Sequence, residues 1–292
     1  MDQAEQLRNI IKKESLARPV ARVITVTSGK GGVGKSNICV NLSLQLAKLG
    51  KRVVILDADF GLANVEVMLG IRPKYNLADL LFKGKSMKEI ITEGPEGVSF
   101  ISGGSGIREL TNLTRDQIVH LTQSLYELDE LYDVIMIDTG AGIDDGIMSF
   151  ICESTEVLVV VTPEPTSITD AYALLKTIDK KKEFSSDLTT IRMISNRVSS
   201  FDEGKELYDK MNVVIEKFLS IRMEYLGSIP QDELVSKSVM QQKPFSLLYP
   251  NSLAGFAAFE LATMINENMV KEQRRRTGIT QLFANLIRSR KN

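Results

Sequence analysis

The residues best suited to chemistry form the octapeptide Gly29–Ser36, which reads G-K-G-G-V-G-K-S. Its spacing, G-x-x-x-x-G-K-[ST], is that of a phosphate-binding loop, whose glycines let backbone N–H groups surround a phosphate. An apolar β-branched run precedes the loop at 23–27, and a helical pattern of apolar residues follows it. This strand–loop–helix setting is the context that the motif requires, so it disfavours a chance glycine-rich turn.

The loop carries two lysines with different expected roles. Lys35 is expected to reach the β- and γ-phosphates of a nucleotide, and Ser36 is expected to ligate Mg²⁺. The general motif does not require Lys30, and a lysine directly after the first glycine points out of the loop. Lys30 is therefore either a solvated surface charge or a contact to a nucleotide held partly by another subunit.

Carboxylates follow two of the predicted strands. The run Lys51–Leu56 ends in Asp57 and Asp59, and the run Asp133–Ile137 ends in Asp138. Carboxylates beside a triphosphate suit Mg²⁺ and water chemistry, and one at a strand end opposite the phosphate loop is typical of a Walker B site. Aspartates also form turns, but their position after a strand favours the metal site here.

These residues require a scaffold that brings several strand ends together. Most strand-like runs are continuously apolar, which indicates burial on both faces of a parallel sheet, and helical patterns such as 114–131 and 169–182 lie between them. We therefore predict a doubly wound, three-layer α/β fold with ligands at the carboxyl ends of the strands. The predicted strands are 23–27, 51–56, 98–102, 134–138, 157–162, 190–196 and 225–229.

Composition narrows the functional class. The 292 residues are 43% hydrophobic and 25% charged, and the net charge is −1 with a pI near 6.1, which argues against nucleic acid as a partner. Two distant cysteines argue against a zinc site or a carried iron–sulfur cluster, and a single histidine argues against imidazole chemistry. No apolar run reaches 18 residues and no secretory signal is present, so we expect a cytoplasmic protein, at most peripheral on the inner face of the cell membrane.

The strand ends together resemble the MinD/ParA class of deviant Walker A ATPases. Residues 57–64 resemble its first switch, D-x-D-x-G-x-x-N, and 138–142 resemble its second switch, with Gly140 in place of the usual proline. The fold implied is a MinD-like P-loop NTPase whose second switch is loosened by that glycine. The resemblance implies that the catalytic residues are Lys30, Lys35 and Asp59, and that the magnesium ligands are Ser36, Asp57 and Asp138.

Each of these roles follows the family's pattern. Lys30 would cross a dimer interface to the partner's phosphates, and Asp59 would position the attacking water. Residues 163–170 resemble the family segment T-x-P-E-x-x-S-x-x-D, in which the glutamate, here Glu164, reaches the nucleotide of the opposite subunit. Asp170 is a candidate partner for Lys30. Helix capping by Ser167 or Thr169 is the alternative explanation of this run.

The base pocket is expected to form from the loops 196–197 and 230–232. An amide can pair with adenine and a guanidinium can stack on it, and the absence of N-K-x-D favours adenine over guanine. The cofactors are thus ATP or ADP with Mg²⁺. The predicted nucleotide contacts are Gly29, Lys30, Gly31, Gly32, Val33, Gly34, Lys35, Ser36, Asn37, Glu164, Asn196, Arg197, Pro230 and Asp232.

The N-terminal run D-Q-A-x-x-L-R resembles the activator segment of the FlhG (YlxH/FleN) branch, which stimulates the signal-recognition-type GTPase FlhF. Residues 1–20 are then a partner-activating segment, and the alternative is a solvated tail. The implied contacts to the GTPase are Asp2, Gln3, Leu7 and Arg8.

The C-terminal residues 269–292 are predicted to form a basic amphipathic helix. Seven basic residues face one acidic residue over 271–292, which favours an anionic membrane surface. The alternative is a helix docked on the core or in a partner's groove. The membrane-bound and the docked state can also both occur, each in a different nucleotide state. The apolar face consists of Ile279, Leu282, Phe283, Leu286 and Ile287.

The main hypothesis is an FlhG-type ATPase with its ATPase domain at 21–268. It would form a homodimer with ATP, bind membrane reversibly, and control flagellar number or placement through FlhF and flagellar C-ring proteins. The rivals are a ParA-type DNA partitioning ATPase and an ATP-dependent synthetase or iron–sulfur carrier of the same fold.

Overall fold

The computed structural model describes residues 20–59, 64–104, 115–181, 184, 188–271 and 278–283. Its strands are β1 (Arg22–Thr27), β2 (Val53–Ala58), β3 (Thr92–Glu93), β4 (Ser99–Ser102), β5 (Val134–Thr139), β6 (Glu156–Val161), β7 (Thr190–Val198) and β8 (Met223–Pro230). They form one sheet in the order β3-β4-β2-β5-β1-β6-β7-β8. All neighbouring pairs are parallel except β3 with β4.

Helices cover both faces of this sheet, so the predicted three-layer α/β fold is confirmed. The layer formed by α1, α2, α9, α10 and α11 covers one face, and α3 to α8 cover the other. The helices are α1 (Lys35–Lys48), α2 (Asn64–Leu69), α3 (Leu77–Phe82), α4 (Met87–Ile90), α5 (Arg115–Leu131), α6 (Asp145–Glu153), α7 (Pro165–Lys180), α8 (Phe201–Phe218), α9 (Glu233–Met240), α10 (Phe245–Leu248) and α11 (Leu253–Lys271).

The central strands are apolar throughout because both of their faces are covered. In β5 every residue is buried, and successive side chains enter opposite layers: Val134 and Met136 pack in one, Ile135 and Ile137 in the other. None of the helices in the described ranges combines the length and the apolar composition of a membrane-spanning segment. Helix α11 continues to Lys271, across the predicted end of the ATPase domain at 268.

The observed strands differ from the predicted ones at β2 and at β3. β2 starts and ends two residues later than predicted, so Asp57 lies inside the strand instead of after it. β3 is a short antiparallel edge strand that no apolar pattern announced. Because the other strands are parallel, their carboxyl ends meet at one edge of the sheet, and the candidate site lies there.

Candidate functional site

The phosphate-binding loop joins β1 to α1, as its motif predicts. Gly32 and Gly34 have φ of +79° and +91°, in the left-handed region that favours glycine. Gly34 is also the N-cap of α1, and none of the described side chains caps the helix there. The first N–H groups of α1 are therefore left to bind an anion.

Gly29 is required for a reason that the motif does not give. The backbone of α7 lies so close that a Cβ on Gly29 would be 2.3 Å from the carbonyl carbon of Asp170. A side chain at this position would displace either the loop or the helix. The first turns of α7 therefore brace the phosphate loop, a contact that sequence reasoning missed because it joins residues far apart in the chain.

Lys35 forms a buried ion pair with Asp138. The lysine Nζ lies 3.2 Å from Oδ1, and both side chains are buried. Burial raises the pKa of Asp138, and the charge of Lys35 opposes that rise. The other carboxylate oxygen, Oδ2, has no hydrogen-bond partner among the described residues. A buried polar atom without a partner is unfavourable, which indicates that this site receives a further ligand.

Asp57 lies beside Asp138 in the sheet. The two are register partners on β2 and β5, and Asp57 accepts hydrogen bonds from the backbone N–H groups of Asp59 and Val65. Burial, and then repulsion by Asp138, raise the pKa of Asp57 to about 7. Two neighbouring carboxylates in a buried setting favour a cation that would offset their charge.

The predicted magnesium ligands fit that cation. Ser36, Asp57 and Asp138 supply oxygen atoms, which Mg²⁺ prefers. No group of three or more His, Cys, Asp or Glu residues that could hold a metal occurs in the described part of the chain. A magnesium ion here would take its remaining ligands from water and substrate phosphates, as Mg²⁺ usually does.

The predicted first switch is described at its two ends, and residues 60–63 lie outside the described residues. Asp59 accepts a hydrogen bond from Nδ2 of Asn64 at 2.9 Å. Its Oδ1 also lies 3.4 Å from the position that a Cβ on Gly140 would occupy. The structure therefore brings the first predicted switch into contact with the second.

The second switch is tied to the phosphate loop through its backbone. The N–H of Gly142 donates to the carbonyl of Ser28 at 3.0 Å, and Gly142 has φ of +105°. A Cβ on Gly140 would lie 3.2 Å from Cδ1 of Ile147, which is a tight contact. Glycine in place of the family's proline therefore leaves room for Ile147 and Asp59.

Lys30 is bonded to the start of α7 within its own chain. Its Nζ lies 3.0 Å from Oε2 of Glu164 and 2.7 Å from Oγ1 of Thr166. Asp170 as its suggested partner is wrong, and Thr166 was missed. The side chains of Lys30 and Glu164 are 34% and 52% exposed, so their ion pair contributes only about 0–1 kcal/mol.

Helix α7 starts at Pro165, four residues earlier than predicted. Proline suits the first helical position because the N–H that it lacks has no intrahelical partner there. The hydroxyl of Ser167 accepts from the backbone N–H of Thr162, and that of Thr169 donates to the carbonyl of Pro165. Neither residue caps the helix, so the capping explanation of this run is wrong.

A cavity of about 710 Å³ opens beside the phosphate loop at the ends of β7 and β8. The predicted base-pocket residues meet here: Asn196 and Arg197 from one strand, Pro230 and Asp232 from the other. Nδ2 of Asn196 donates to the carbonyl of Val33 at 2.7 Å, which ties the cavity to the loop. The wall consists of Gly34, Asn37, Ile38, Thr162, Pro163, Glu164, Asn196, Arg197, Ile229, Pro230, Gln231, Asp232, Val235, Ser236, Val239 and Phe245.

Two residues of this cavity are held by local constraints. Arg197 has φ of +58°, which is unfavourable for a residue with a side chain and places strain at a binding cavity. Asp232 caps α9 by accepting from the N–H of Leu234 at 2.9 Å, and it accepts from the N–H of Ala254 at 3.3 Å. Asp232 thus also holds two helices in place, a role that sequence reasoning missed.

The described part of the C-terminal segment, residues 278–283, is docked in the layer of α5 and α6. Ile279, Leu282 and Phe283 are buried, and the ring of Phe283 packs edge-to-face on Phe150 at 5.9 Å between centroids. Three predicted membrane residues therefore face the core in this state, which is the docked alternative. Leu286 and Ile287 lie outside the described residues, as do Asp2, Gln3, Leu7 and Arg8 at the other end.

Asp129 on α5 anchors the docked segment, and no sequence motif indicated it. Its carboxylate accepts hydrogen bonds from the backbone N–H groups of Ile279 and Thr280 and, at 2.8 Å, from the hydroxyl of Thr280. Burial raises the pKa of Asp129, and these hydrogen bonds oppose the rise. Gly278 is also required, because a Cβ there would lie 2.6 Å from that carboxylate.

Comparison with known families matches residues 24–245 to the CobQ/CobB/MinD/ParA nucleotide binding domain. The chain is 41% identical over 256 residues to the antiactivator FleN of Pseudomonas aeruginosa, covering 88% of this chain and 90% of that protein. It is 35% identical over 249 residues to the flagellum site-determining protein YlxH of Helicobacter pylori, covering 84% and 81%.

Solved structures agree with this match. The chain is similar to a chain of the MinC:MinD cell division protein complex of Aquifex aeolicus, with a TM-score of 0.67, 25% identity, and coverage of 85% of this chain and 96% of that chain. MinD of Pyrococcus horikoshii, solved with Mg-ADP, shares the fold at a TM-score of 0.66 and 23% identity, covering 87% and 99%.

Proposed function

Because the chain belongs to the CobQ/CobB/MinD/ParA family, and within it to the FlhG (YlxH/FleN) branch, we propose that it is an ATPase that regulates flagellar number or placement. Two copies pair when ATP and Mg²⁺ are bound, associate reversibly with the membrane, and separate after hydrolysis. The observation that carries this proposal is the contrast between two lysines of one loop. Lys35 is buried against Asp138, whereas Lys30 is held at the surface by Glu164.

The buried half of the site supports phosphate binding and hydrolysis. The free N–H groups at the start of α1 and the ammonium of Lys35 hold the phosphates, and Ser36, Asp57 and Asp138 hold Mg²⁺. When bound there, Mg²⁺ would supply positive charge to offset the negative charge on the phosphate oxygens. Asp59 orients the attacking water, since its carboxylate lies between the two switches.

The exposed half of the site supports pairing of two subunits. The contacts of Lys30 to Glu164 and Thr166 are weak because they lie at the surface, so exchanging them for a partner's phosphates costs little. A triphosphate is a far stronger partner for an ammonium than one carboxylate at the surface. Lys30 therefore makes pairing depend on ATP, and Glu164 becomes free to reach the partner's nucleotide.

Membrane association requires release of the docked C-terminal segment. Burial of Ile279, Leu282 and Phe283 favours the docked state by several kcal/mol, so isolated subunits keep the segment on α5. Pairing of two subunits places two such segments on one assembly, which raises their combined affinity for a surface by about 10²–10⁴. The ATP-bound dimer is thus the membrane-bound form.

Its flagellar role rests on the relatives. The antiactivator FleN and the flagellum site-determining protein YlxH align over most of this chain, which supports a role in flagellar number or placement. Residues 1–20 stimulate an FlhF-type GTPase, with Gln3 orienting water in its site, and flagellar C-ring proteins are the further partners.

Light scattering with Mg²⁺ and a non-hydrolysable ATP analogue tests the proposal. The wild-type chain should double its mass from 32.5 kDa, while the ADP-bound chain stays monomeric. Lys30→Ala should remain monomeric with the analogue, because it lacks the crossing ammonium. Lys217→Ala, which removes an exposed lysine of α8 far from the loop, is the matched control and should pair like wild type.

Two results would contradict the proposal. Pairing of Lys30→Ala at wild-type analogue concentrations would remove the cross-subunit role of that lysine. Hydrolysis is tested separately by phosphate release: Asp59→Ala should lose turnover yet still pair with ATP. Unchanged turnover in Asp59→Ala would assign the water-positioning role to another residue.

A further inference from the structure

A cationic loop, defined as residues 82–85, joins α3 to α4. It reads F-K-G-K, and its first residue, Phe82, is 44% exposed although it ends a helix whose other large apolar residues are buried. Gly84 has φ of +66°, so the chain turns sharply between the two lysines. The loop therefore presents an aromatic ring and two ammonium groups together at the surface.

The surroundings of the loop concentrate positive charge. Residues 72–89 contain five cations and two carboxylates, and each carboxylate is paired within one helical turn: Asp79 with Lys83, and Glu89 with Lys85. The remaining cations, Arg72, Lys74 and Lys88, are exposed and have no carboxylate partner among the described residues. This excess contrasts with the net charge of −1 for the whole chain.

The side chain of Tyr75 lies in the same positively charged environment. Lys85 Nζ lies 4.2 Å and Lys74 Nζ 5.1 Å from the centre of its ring, so two ammonium groups share one aromatic side chain. Hydrogen bonding to Lys85, and then the charge of Lys74, lower the pKa of the Tyr75 phenol. The surface around the loop thus favours negative charge.

The loop and the docked C-terminal segment lie in one layer of the fold. Near the start of α5, Nε2 of Gln117 donates to the carbonyl of Leu81, next to the loop. Near its end, Asp129 holds Ile279 and Thr280. Asp129 lies twelve positions after Gln117 in the helix, so the two attachment points are about 18 Å apart along α5. Both elements are therefore attached to one helix of the same layer.

We propose that the cationic loop is a second contact to anionic lipid, beside the C-terminal segment. Lys83 and its neighbouring cations bind the headgroups, and the ring of Phe82 enters the boundary between headgroups and acyl chains. The inference rests on the proposed membrane association. An exposed phenyl ring beside the lysines favours lipid over nucleic acid, because phosphate contacts alone require no apolar insertion.

Flotation with vesicles of anionic phosphatidylglycerol and neutral phosphatidylcholine tests the loop in the full chain, with Mg²⁺ and the ATP analogue. The double variant Phe82→Ser with Lys83→Gln should bind anionic vesicles about tenfold more weakly than wild type. The matched control is Lys217→Gln with Phe218→Ser. It removes another exposed Lys–Phe pair, with Phe218 63% exposed, on α8 at the far end of the sheet. The control should bind within twofold of wild type.

A second readout does not depend on affinity. The chain has no tryptophan, so Phe82→Trp and Phe218→Trp each introduce a single tryptophan that can be excited selectively. Tryptophan emission of Phe82→Trp should shift to shorter wavelength on anionic vesicles and be quenched by brominated lipid. Tryptophan emission of Phe218→Trp should not change.

The outcomes separate this inference from the proposed function. If wild type floats and the loop variant floats equally well, or if Phe82→Trp keeps its aqueous emission, the loop is not a lipid contact and membrane association stands. If wild type does not float, membrane association itself fails. If the loop variant loses binding to duplex DNA while its flotation is unchanged, the loop binds nucleic acid and the inference is overturned.

Discussion

The carboxyl edge of the sheet and the docked C-terminal segment differ in whether their buried polar groups have hydrogen-bond partners. At the edge, buried polar groups lack partners: Oδ2 of Asp138 has no hydrogen bond in the described structure, and Asp57 lies beside it with a raised pKa. In the segment, the described apolar side chains are buried and the backbone N–H groups of Ile279 and Thr280 are bonded to Asp129.

This difference indicates that ligand binding at the edge of the sheet drives release of the C-terminal segment. Binding of a ligand to a site with unpaired polar groups is favourable, whereas release of a docked apolar segment into water is unfavourable. In our account, ATP binding and pairing at the first region therefore supply the free energy that releases the second. Four predictions test this contrast.

The largest effect is expected from Lys35→Ala. Removing one partner of a buried ion pair leaves Asp138 uncompensated, so unfolding free energy should fall by about 3 kcal/mol or more, and ATP turnover by about 10²–10³-fold. Chemical denaturation and phosphate release measure the two effects. Lys30→Ala is the control, since its exposed pair predicts a change below about 1 kcal/mol. Equal destabilisation by both changes would contradict the contrast between the two lysines.

Asp129→Ala should release the C-terminal segment by leaving the backbone N–H groups of Ile279 and Thr280 without an acceptor, which costs about 1–3 kcal/mol. The pH dependence has a defined sign. Because docking raises the pKa of Asp129, docking is strongest below the ordinary carboxyl pKa and weakens as pH rises through the raised value. Limited proteolysis across pH should follow this trend in wild type and lose it in the variant. Tighter docking of wild type at higher pH would reject the assignment.

Phe150→Leu should loosen the docked segment without changing the segment itself. It removes the edge-to-face contact with Phe283, which is worth about 0.5–1.5 kcal/mol. Vesicle binding without nucleotide should increase by roughly two- to tenfold, measured by flotation. Phe100→Leu, in the opposite layer of the fold, is the matched control. Weaker vesicle binding by Phe150→Leu would argue that the docked state is not inhibitory.

The smallest effect is expected from Thr166→Val. This change removes the 2.7 Å hydrogen bond to Lys30 and leaves Glu164 in place. Freed from one contact, Lys30 should pair with a partner's nucleotide at about two- to fivefold lower analogue concentration, because an exposed hydrogen bond is worth about 0.5–1 kcal/mol. Light scattering against analogue concentration measures the shift. A higher concentration requirement would mean that Thr166 supports the dimer.

The sequence predicted that the phosphate-binding loop and the carboxylates of neighbouring strands lie together, because these residues follow local rules. The glycines and Lys35 form one continuous motif, and Asp57 and Asp138 each follow a continuously apolar run of sequence. Parallel strands bring their carboxyl ends together whatever the details of packing. The strand order, with β5 between β1 and β2, was not predictable, since it depends on crossovers that leave no local pattern.

Contacts between distant segments could not be predicted from the sequence. The need for Gly29 arises from the backbone of Asp170, and the anchor of Thr280 is Asp129. An apolar helical face looks the same whether it binds lipid or docks on α5, because both remove it from water. The periodicity of Ile279, Leu282 and Phe283 therefore predicted an apolar face and left its partner open.

Hydrogen exchange of residues 278–283 tests the central claim most directly. We predict slow exchange at Ile279 and Thr280 without nucleotide and with ADP, because Asp129 holds both N–H groups. With Mg²⁺ and the ATP analogue, exchange should become fast in wild type and stay slow in Lys30→Ala, which does not pair. Slow exchange in a wild-type dimer would contradict the account, because the segment would then stay docked when the subunits pair.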